Sequence, residues 1–266
     1  MTEQQPNFDK LQQSQQNQSQ RKFRACLFDM DGLLINSEQI YTDISSKVLR
    51  EKFNIEKGLT WDVKSQMQGL PGSKATQKMV DCYGLNDKTT GEELYKITSE
   101  MQTDYWPTCQ LMPGVAELIK YLHDKGIPIC VCTSTSKTKF PLKTSHLQDT
   151  FKLFDGNVIT GDHESIVGKG KPLPFIWWLG VDKLNESLKK EGKPGNIKPE
   201  ECLIFEDAVS GFISGKRAQG YVIWVPNENN LKVIGEQKVK EMVGANNEFG
   251  CVLNSLKDFE PTKYGF

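Results

Sequence analysis

Phe23, Ala25, Leu27 and Phe28 form a short apolar run that stops at Asp29-Met30-Asp31-Gly32. That pattern predicts a buried strand followed by a sharp turn, which Gly32 permits. Ile40, Ile44, Val48 and Leu49 then recur at helical spacing and predict an amphipathic helix over 37–53. Further helices are expected near 60–68, 73–84 and 91–105, punctuated by Gly58, Pro71-Gly72 and Gly84. The next strand is Ile127-Pro128-Ile129-Cys130-Val131-Cys132, so 36–111 reads as a helical block between the first and second strands. Pro107 and Pro113-Gly114 mark its return. Beyond it helix and strand alternate: helix 114–125, strand 127–133, helix 138–148 and strand 157–160. Helix 172–189, strand 202–205, helix 209–219 and strand 221–225 follow. A last helix is expected near 231–243 and a last strand near 251–253. The alternation implies an α/β fold, a parallel sheet covered on both faces.

Composition narrows the classes. A chain of 266 residues with 37% hydrophobic and 25% charged residues suits a globular protein, and a net charge of −1 gives no reason to expect nucleic acid or an anionic membrane as partner. No stretch approaches the roughly 20 apolar residues that span a bilayer. Residues 1–21 carry eight Gln, with Phe8 and Leu11 the only large apolar side chains after Met1, and are expected to be a disordered tail. This tail lacks the apolar core of a secretory signal, and the expected location is the cytoplasm. Four of the seven cysteines, Cys26, Cys130, Cys132 and Cys202, fall in strand-like runs and read as buried reduced thiols. Three scattered histidines make a zinc site or a Ser-His-Asp triad hard to build.

The chemistry gathers where strands end. Asp29 and Asp31 are two residues apart, so on extended backbone they project into one space at the carboxyl edge of the sheet. Such a pair repels unless a cation intervenes, and Mg2+ takes carboxylates together with phosphate. Thr133-Ser134-Thr135-Ser136 closes the second strand, where a hydroxyl and backbone N–H groups can hold phosphate; alone it also reads as a helix N-cap. In Gly168-Lys169-Gly170-Lys171-Pro172, Pro172 suits the first turn of a helix and leaves Lys171 free to reach inward or into solvent. Ile204-Phe205-Glu206-Asp207-Ala208 again ends an apolar strand with two acids.

The four segments in this order, across roughly 23–261, resemble the haloacid dehalogenase superfamily of phosphohydrolases. The resemblance implies a Rossmann-like core over 22–35 and 112–266, with a helical cap over 36–111. Leu111-Met112-Pro113-Gly114, Leu142-Lys143-Thr144-Ser145, Phe205-Glu206-Asp207-Ala208 and Leu256-Lys257-Asp258-Phe259-Glu260-Pro261 are similar to the subgroup of pseudouridine-5'-phosphatases and plant-type glycerol-3-phosphatases. It implies Asp29 as nucleophile, Asp31 as general acid and base, and Mg2+ held by Asp29, the Asp31 backbone carbonyl and Asp207, with Glu206 assisting directly or through water. Ser134, the Thr135 backbone N–H and Lys171 would hold the phosphoryl oxygens. The implied substrate is a small phosphomonoester: pseudouridine 5'-phosphate first, glycerol phosphate or 2-deoxyglucose 6-phosphate next. A monomer is expected. A mutase of the sugar-phosphate type would resemble the chain but carry a histidine where Tyr41 stands. A dehalogenase would lack Asp31, and a protein without catalysis would lack some of these residues. Asn36 stands where many members carry Asp, which bears on cap hinging. Lys74, in the loop 68–74, could meet the substrate or be solvated; Trp61 and Tyr105 could stack on a base or pack the cap.

Overall fold

The computed structural model describes residues 21–68, 70 and 72–266. The Gln-rich segment up to residue 20, and Gly69 and Pro71 of the loop 68–74, lie outside the described residues.

Six strands, β1 (Ala25–Phe28), β2 (Ile129–Cys132), β3 (Val158–Ile159), β4 (Cys202–Glu206), β5 (Tyr221–Trp224) and β6 (Gly250–Val252), form one sheet in the order β3-β2-β1-β4-β5-β6. Every pairing is parallel. The two-residue period of β1 sends Cys26 and Phe28 to one face and Ala25 and Leu27 to the other, and each pair joins a separate buried cluster. The strands need apolar residues at nearly every position because helices cover both faces. On the first face Phe28 stacks on Phe205 of β4 with ring centroids 4.4 Å apart, beside Ile119 and Leu122 of α5 (Val115–Asp124). On the second face lie Trp177 and Val181 of α8 (Phe175–Lys190).

The block between β1 and β2 contains α1 (Ser37–Phe53), α2 (Trp61–Met67), α3 (Gly72–Cys82) and α4 (Gly91–Thr103). These helices have their own buried cluster of Val48, Leu49, Met79, Val80, Leu85 and Leu94. Two chain segments join this block to the core, and Asn36 ties them together. Its N–H donates to the Gln110 carbonyl at 3.0 Å, and its side-chain oxygen accepts the Gln110 N–H at 2.8 Å.

Three expected elements differ. The helix over 138–148 is broken into α6 (Phe140–Thr144), a 3-10 turn Ser145–Leu147 and α7 (Gln148–Phe151). The turn carries His146, whose Nε2 meets the Cys109 carbonyl at 2.7 Å, so a tertiary contact overrides the helical pattern. The helix expected from 172 begins at Phe175, with Pro174 as its cap, so Pro172 lies in the preceding turn rather than in the first helical turn. The helix over 231–243 is α10 (Glu228–Ile234) and α11 (Glu236–Val243), separated where Gly235 takes φ +80°. Between β4 and β5 runs α9 (Val209–Arg217). No helix among the described residues is long and apolar enough to cross a membrane.

Candidate active site

The chain runs outward from β1 through β2 to β3, then returns to lay β4 on the other side of β1. The crevice between the carboxyl ends of β1 and β4 is therefore the switch point where open α/β sheets bind ligands. Register places Phe28 beside Phe205, and the Asp29 N–H donates to the Phe205 carbonyl at 3.0 Å. Asp29 thus stands directly against the Glu206-Asp207 end of β4. After Asp29 the chain folds back, with the Leu34 and Ile35 N–H groups both on the Met30 carbonyl. Gly32 takes φ +87°, and a Cβ there would overlap the Asp207 carboxylate. Glycine is needed for both reasons.

Asp29, Glu206 and Asp207 are all buried, with a carboxylate oxygen from each lying within 4.8 Å of the others. Lys171 comes over them from the turn before α8. Its ammonium donates to Asp29 Oδ1 at 2.5 Å and to Glu206 Oε1, and lies 4.5 Å from the centre of the Trp177 ring. The other Glu206 oxygen accepts the Asp207 and Ala208 N–H groups, each at 3.0 Å. Asp207 accepts no side-chain hydrogen bond from any described residue, while Trp224 Nε1 fixes its backbone carbonyl at 2.9 Å. Burial pushes the Asp29 carboxyl up to about 7, with Lys171 pulling it down and Glu206 pushing it further up. Burial, Glu206 and Asp29 drive Asp207 well above the usual carboxylate range. Burial would lower Lys171, but Asp29 and Glu206 outweigh it and hold the lysine above its ordinary value. Two of the three buried carboxylates, Asp29 and Glu206, share the Lys171 ammonium, and among the described residues Asp207 has no side-chain donor of its own. That donor set fits a hard divalent cation between Asp29 and Asp207, with Glu206 already committed to Lys171 and two N–H groups.

Asp31 lines the same cavity as Asp29, but its carboxylate goes to different partners. Ser37 Oγ and Lys143 Nζ donate to Oδ1, each at 2.5 Å, and Thr135 Oγ1 donates to Oδ2 at 2.6 Å. Burial alone would raise Asp31; Lys143 and the hydroxyls of Ser37 and Thr135 outweigh it and hold it below the usual range. The expected mutual repulsion of the two aspartates is met by two lysines, one for each. Ser134 faces the cavity. The Thr135 N–H donates to Thr133 Oγ1 at 3.1 Å, so it is engaged within its own turn rather than free for a phosphoryl oxygen.

The cavity has a volume of about 340 Å³, within the range of small-molecule sites, and lies between the helical block and the sheet edge. Tyr41, Lys64, Gln68, Tyr95, Gln102 and Lys139 are among its walls. Lys74 is exposed and is not part of the wall; its neighbours Ser73 and Ala75 are. Tyr105 is 47% exposed, and Trp61 faces the Lys64 ammonium at 4.6 Å; neither lines the cavity. Gln68 connects the two parts of the molecule. Its carbonyl accepts Ser210 Oγ at 3.0 Å, its Oε1 accepts from Asn230 Nδ2, and its Nε2 donates to Glu38 at 3.2 Å. Ser37, Gln68 and Lys143 stand inside the sequence motifs without a role of their own there, a lysine in a short helix reading as a solvated side chain, and Asn230 stands in none.

Residues 23–219 match the model of the haloacid dehalogenase-like hydrolases. A Saccharomyces cerevisiae protein named a probable pseudouridine-5'-phosphatase is 45% identical over 244 residues, 91% of this chain and 97% of its own. The mitochondrial (DL)-glycerol-3-phosphatase 1 of Arabidopsis thaliana is 34% identical over 90% of this chain and 72% of its own. Among solved structures, a family IA hydrolase from Entamoeba histolytica superposes with a TM-score of 0.66 at 19% identity, covering 91% of this chain and 97% of that one. That likeness carries the fold.

Proposed function

The chain belongs to the haloacid dehalogenase-like hydrolases and is a phosphomonoester hydrolase, and from that premise we propose that it releases phosphate from pseudouridine 5'-phosphate, with Mg2+, through an aspartyl-phosphate on Asp29. The observation that carries this reading is the pairing of Asp29 with Lys171 beside Asp207, at the junction of β1 and β4. An Asp29 oxygen forms the bond to phosphorus as the ester oxygen leaves; that oxygen takes a proton from Asp31, which first picks one up from solvent because Lys143, Ser37 and Thr135 hold it ionised at rest. Water then attacks the phosphorus, its proton passes to Asp31, and Asp29 is released as carboxylate. Lys171, on Asp29 itself, and Ser134, on the cavity wall, hold the oxygens of the transferring group, whose charge is spread in the transition state. A bound Mg2+, held by Asp29, the Asp31 carbonyl and Asp207, would neutralise part of that charge.

Residues 36–111 act as the cap that closes over the leaving group and excludes water from the reaction. The first-choice substrate rests on the yeast relative; glycerol 3-phosphate is the second, on the Arabidopsis relative. Substrate contacts fall to the wall residues rather than to Lys74. The near-neutral charge is in line with a protein that binds neither nucleic acid nor an anionic membrane, and we take it as a cytoplasmic monomer.

The test is phosphate release from pseudouridine 5'-phosphate, uridine 5'-phosphate, glycerol 3-phosphate and 2-deoxyglucose 6-phosphate, with Mg2+ and with EDTA. Preference for pseudouridine 5'-phosphate that disappears with EDTA supports the proposal. Preference for another ester corrects the substrate, and turnover indifferent to EDTA removes the metal.

A further inference from the structure

We infer that Lys143 is a positioning residue for Asp31 and that, through Tyr41, it couples the aim of this carboxylate to the cap. The inference rests on Asp31 being the proton donor to the leaving group, as proposed above. Lys143 has no exposed surface, and its helix α6 contributes nothing to the cavity wall, so it touches no substrate. All three hydrogens of its ammonium are placed: on Asp31 Oδ1 at 2.5 Å, on Tyr41 Oη at 2.7 Å and on Thr135 Oγ1 at 3.1 Å. Two aromatic faces complete its surroundings, with the centre of Trp106 at 4.5 Å and of Tyr41 at 4.9 Å.

A buried ammonium is costly unless it is paired, and Asp31 is the carboxylate that pairs it. Ser37 and Thr135 supply direction to Asp31; Lys143 alone supplies charge. The two rings come from the two ends of the helical block, Tyr41 from α1 and Trp106 from the 3-10 turn Trp106–Thr108, with centroids 5.1 Å apart. The ammonium is therefore seated between the entry and exit of the cap while it holds the proton donor of the core. Any displacement of α1 moves the Tyr41 hydroxyl and changes what Lys143 can offer Asp31. The donor is correctly aimed when the cap is seated, which is when water is excluded from the leaving oxygen.

The proton matters only where the leaving oxygen needs one. An alkoxide leaves as the alcohol, taking the proton of Asp31; p-nitrophenoxide leaves without it. The ratio kcat/KM reports all steps through that departure, so it separates positioning from general damage. Lys143→Met retains the length of the side chain inside its aromatic enclosure and removes the charge. Expected is a loss of about 100-fold in kcat/KM for the best alkyl phosphate of the panel, against less than about three-fold for p-nitrophenyl phosphate. Trp106→Phe, away from the cavity wall, shrinks one of the two faces that seat the ammonium; it should show the same selectivity at about five-fold, and it carries the test should Lys143→Met not fold. Equal losses on both esters, or no loss on either, overturn the inference while leaving the phosphatase reading intact. Wild-type protein that hydrolyses neither ester overturns that reading, and this inference with it.

Discussion

Gly211→Ala sets a favourable local change against the geometry of the site. Gly211 lies in α9, where exchange of glycine for alanine ordinarily adds about 1 kcal/mol of helix stability. Here a Cβ would overlap the Glu206 carboxylate, which is 1% exposed. To make room, Glu206 must leave Lys171 and the Asp207 and Ala208 N–H groups, the latter two at 3.0 Å. Breaking a buried ion pair costs about 3–5 kcal/mol, and partial relaxation leaves a net destabilisation of about 2–4 kcal/mol after the helical gain. Urea unfolding in EDTA reads this as a lower midpoint at unchanged slope. The displaced carboxylate also frees Lys171 to swing from Asp29, so phosphate release should fall by at least ten-fold, as the loss of an oriented cation in a dry site predicts. A Gly211→Ala protein as stable as the wild type would refute the reasoning, because Glu206 would then be held by something other than these three donors.

Asp29→Asn should abolish turnover while the fold is retained, checked by phosphate release and circular dichroism. Lys171→Met should unfold at lower urea than the wild type in EDTA, because Asp29 and Glu206 lose their shared ammonium beside the buried Asp207, and Mg2+ should recover part of the difference. Trp224→Phe removes the donor to the Asp207 carbonyl and should cost about 1–3 kcal/mol, with a weaker midpoint in a Mg2+ titration of activity. Asn230→Ala frees Gln68 from one of its bonds between cap and core, and the loss of one hydrogen bond predicts a rise in KM of about two- to ten-fold with kcat little changed.

The sheet was legible in the sequence because its strands are short apolar runs, β1 to β4 ended by acids or hydroxyls, and helices on both faces leave little freedom in that pattern. The helix at 37–53 was equally legible, since Ile44, Val48 and Leu49 are its buried stripe. The helix at 138–148 was not, because its break depends on His146 reaching the distant Cys109 carbonyl. In the site, Asp29, Asp207 and Lys171 could be picked out because each stands at a strand end or a glycine-rich turn. Asp31 was placed at the right edge, yet its partners were not foreseen: Lys143 is 112 residues away in the chain, and only the folded packing against Tyr41 and Trp106 buries it. Lys74 illustrates the reverse case. A lysine beside Ser73 and Ala75, both at the wall, can still point to solvent when a helix turns it outward.

The central claim is a covalent bond from phosphorus to Asp29, and acid-quenching the enzyme during turnover tests it most directly. With Mg2+ and the preferred ester, mass spectrometry of the digested protein should find one phosphoryl group on the peptide carrying Asp29. The adduct should be absent with EDTA and in Asp29→Asn. Rapid turnover with that peptide unmodified at every quench time, or with the phosphoryl group on another residue, would contradict the account.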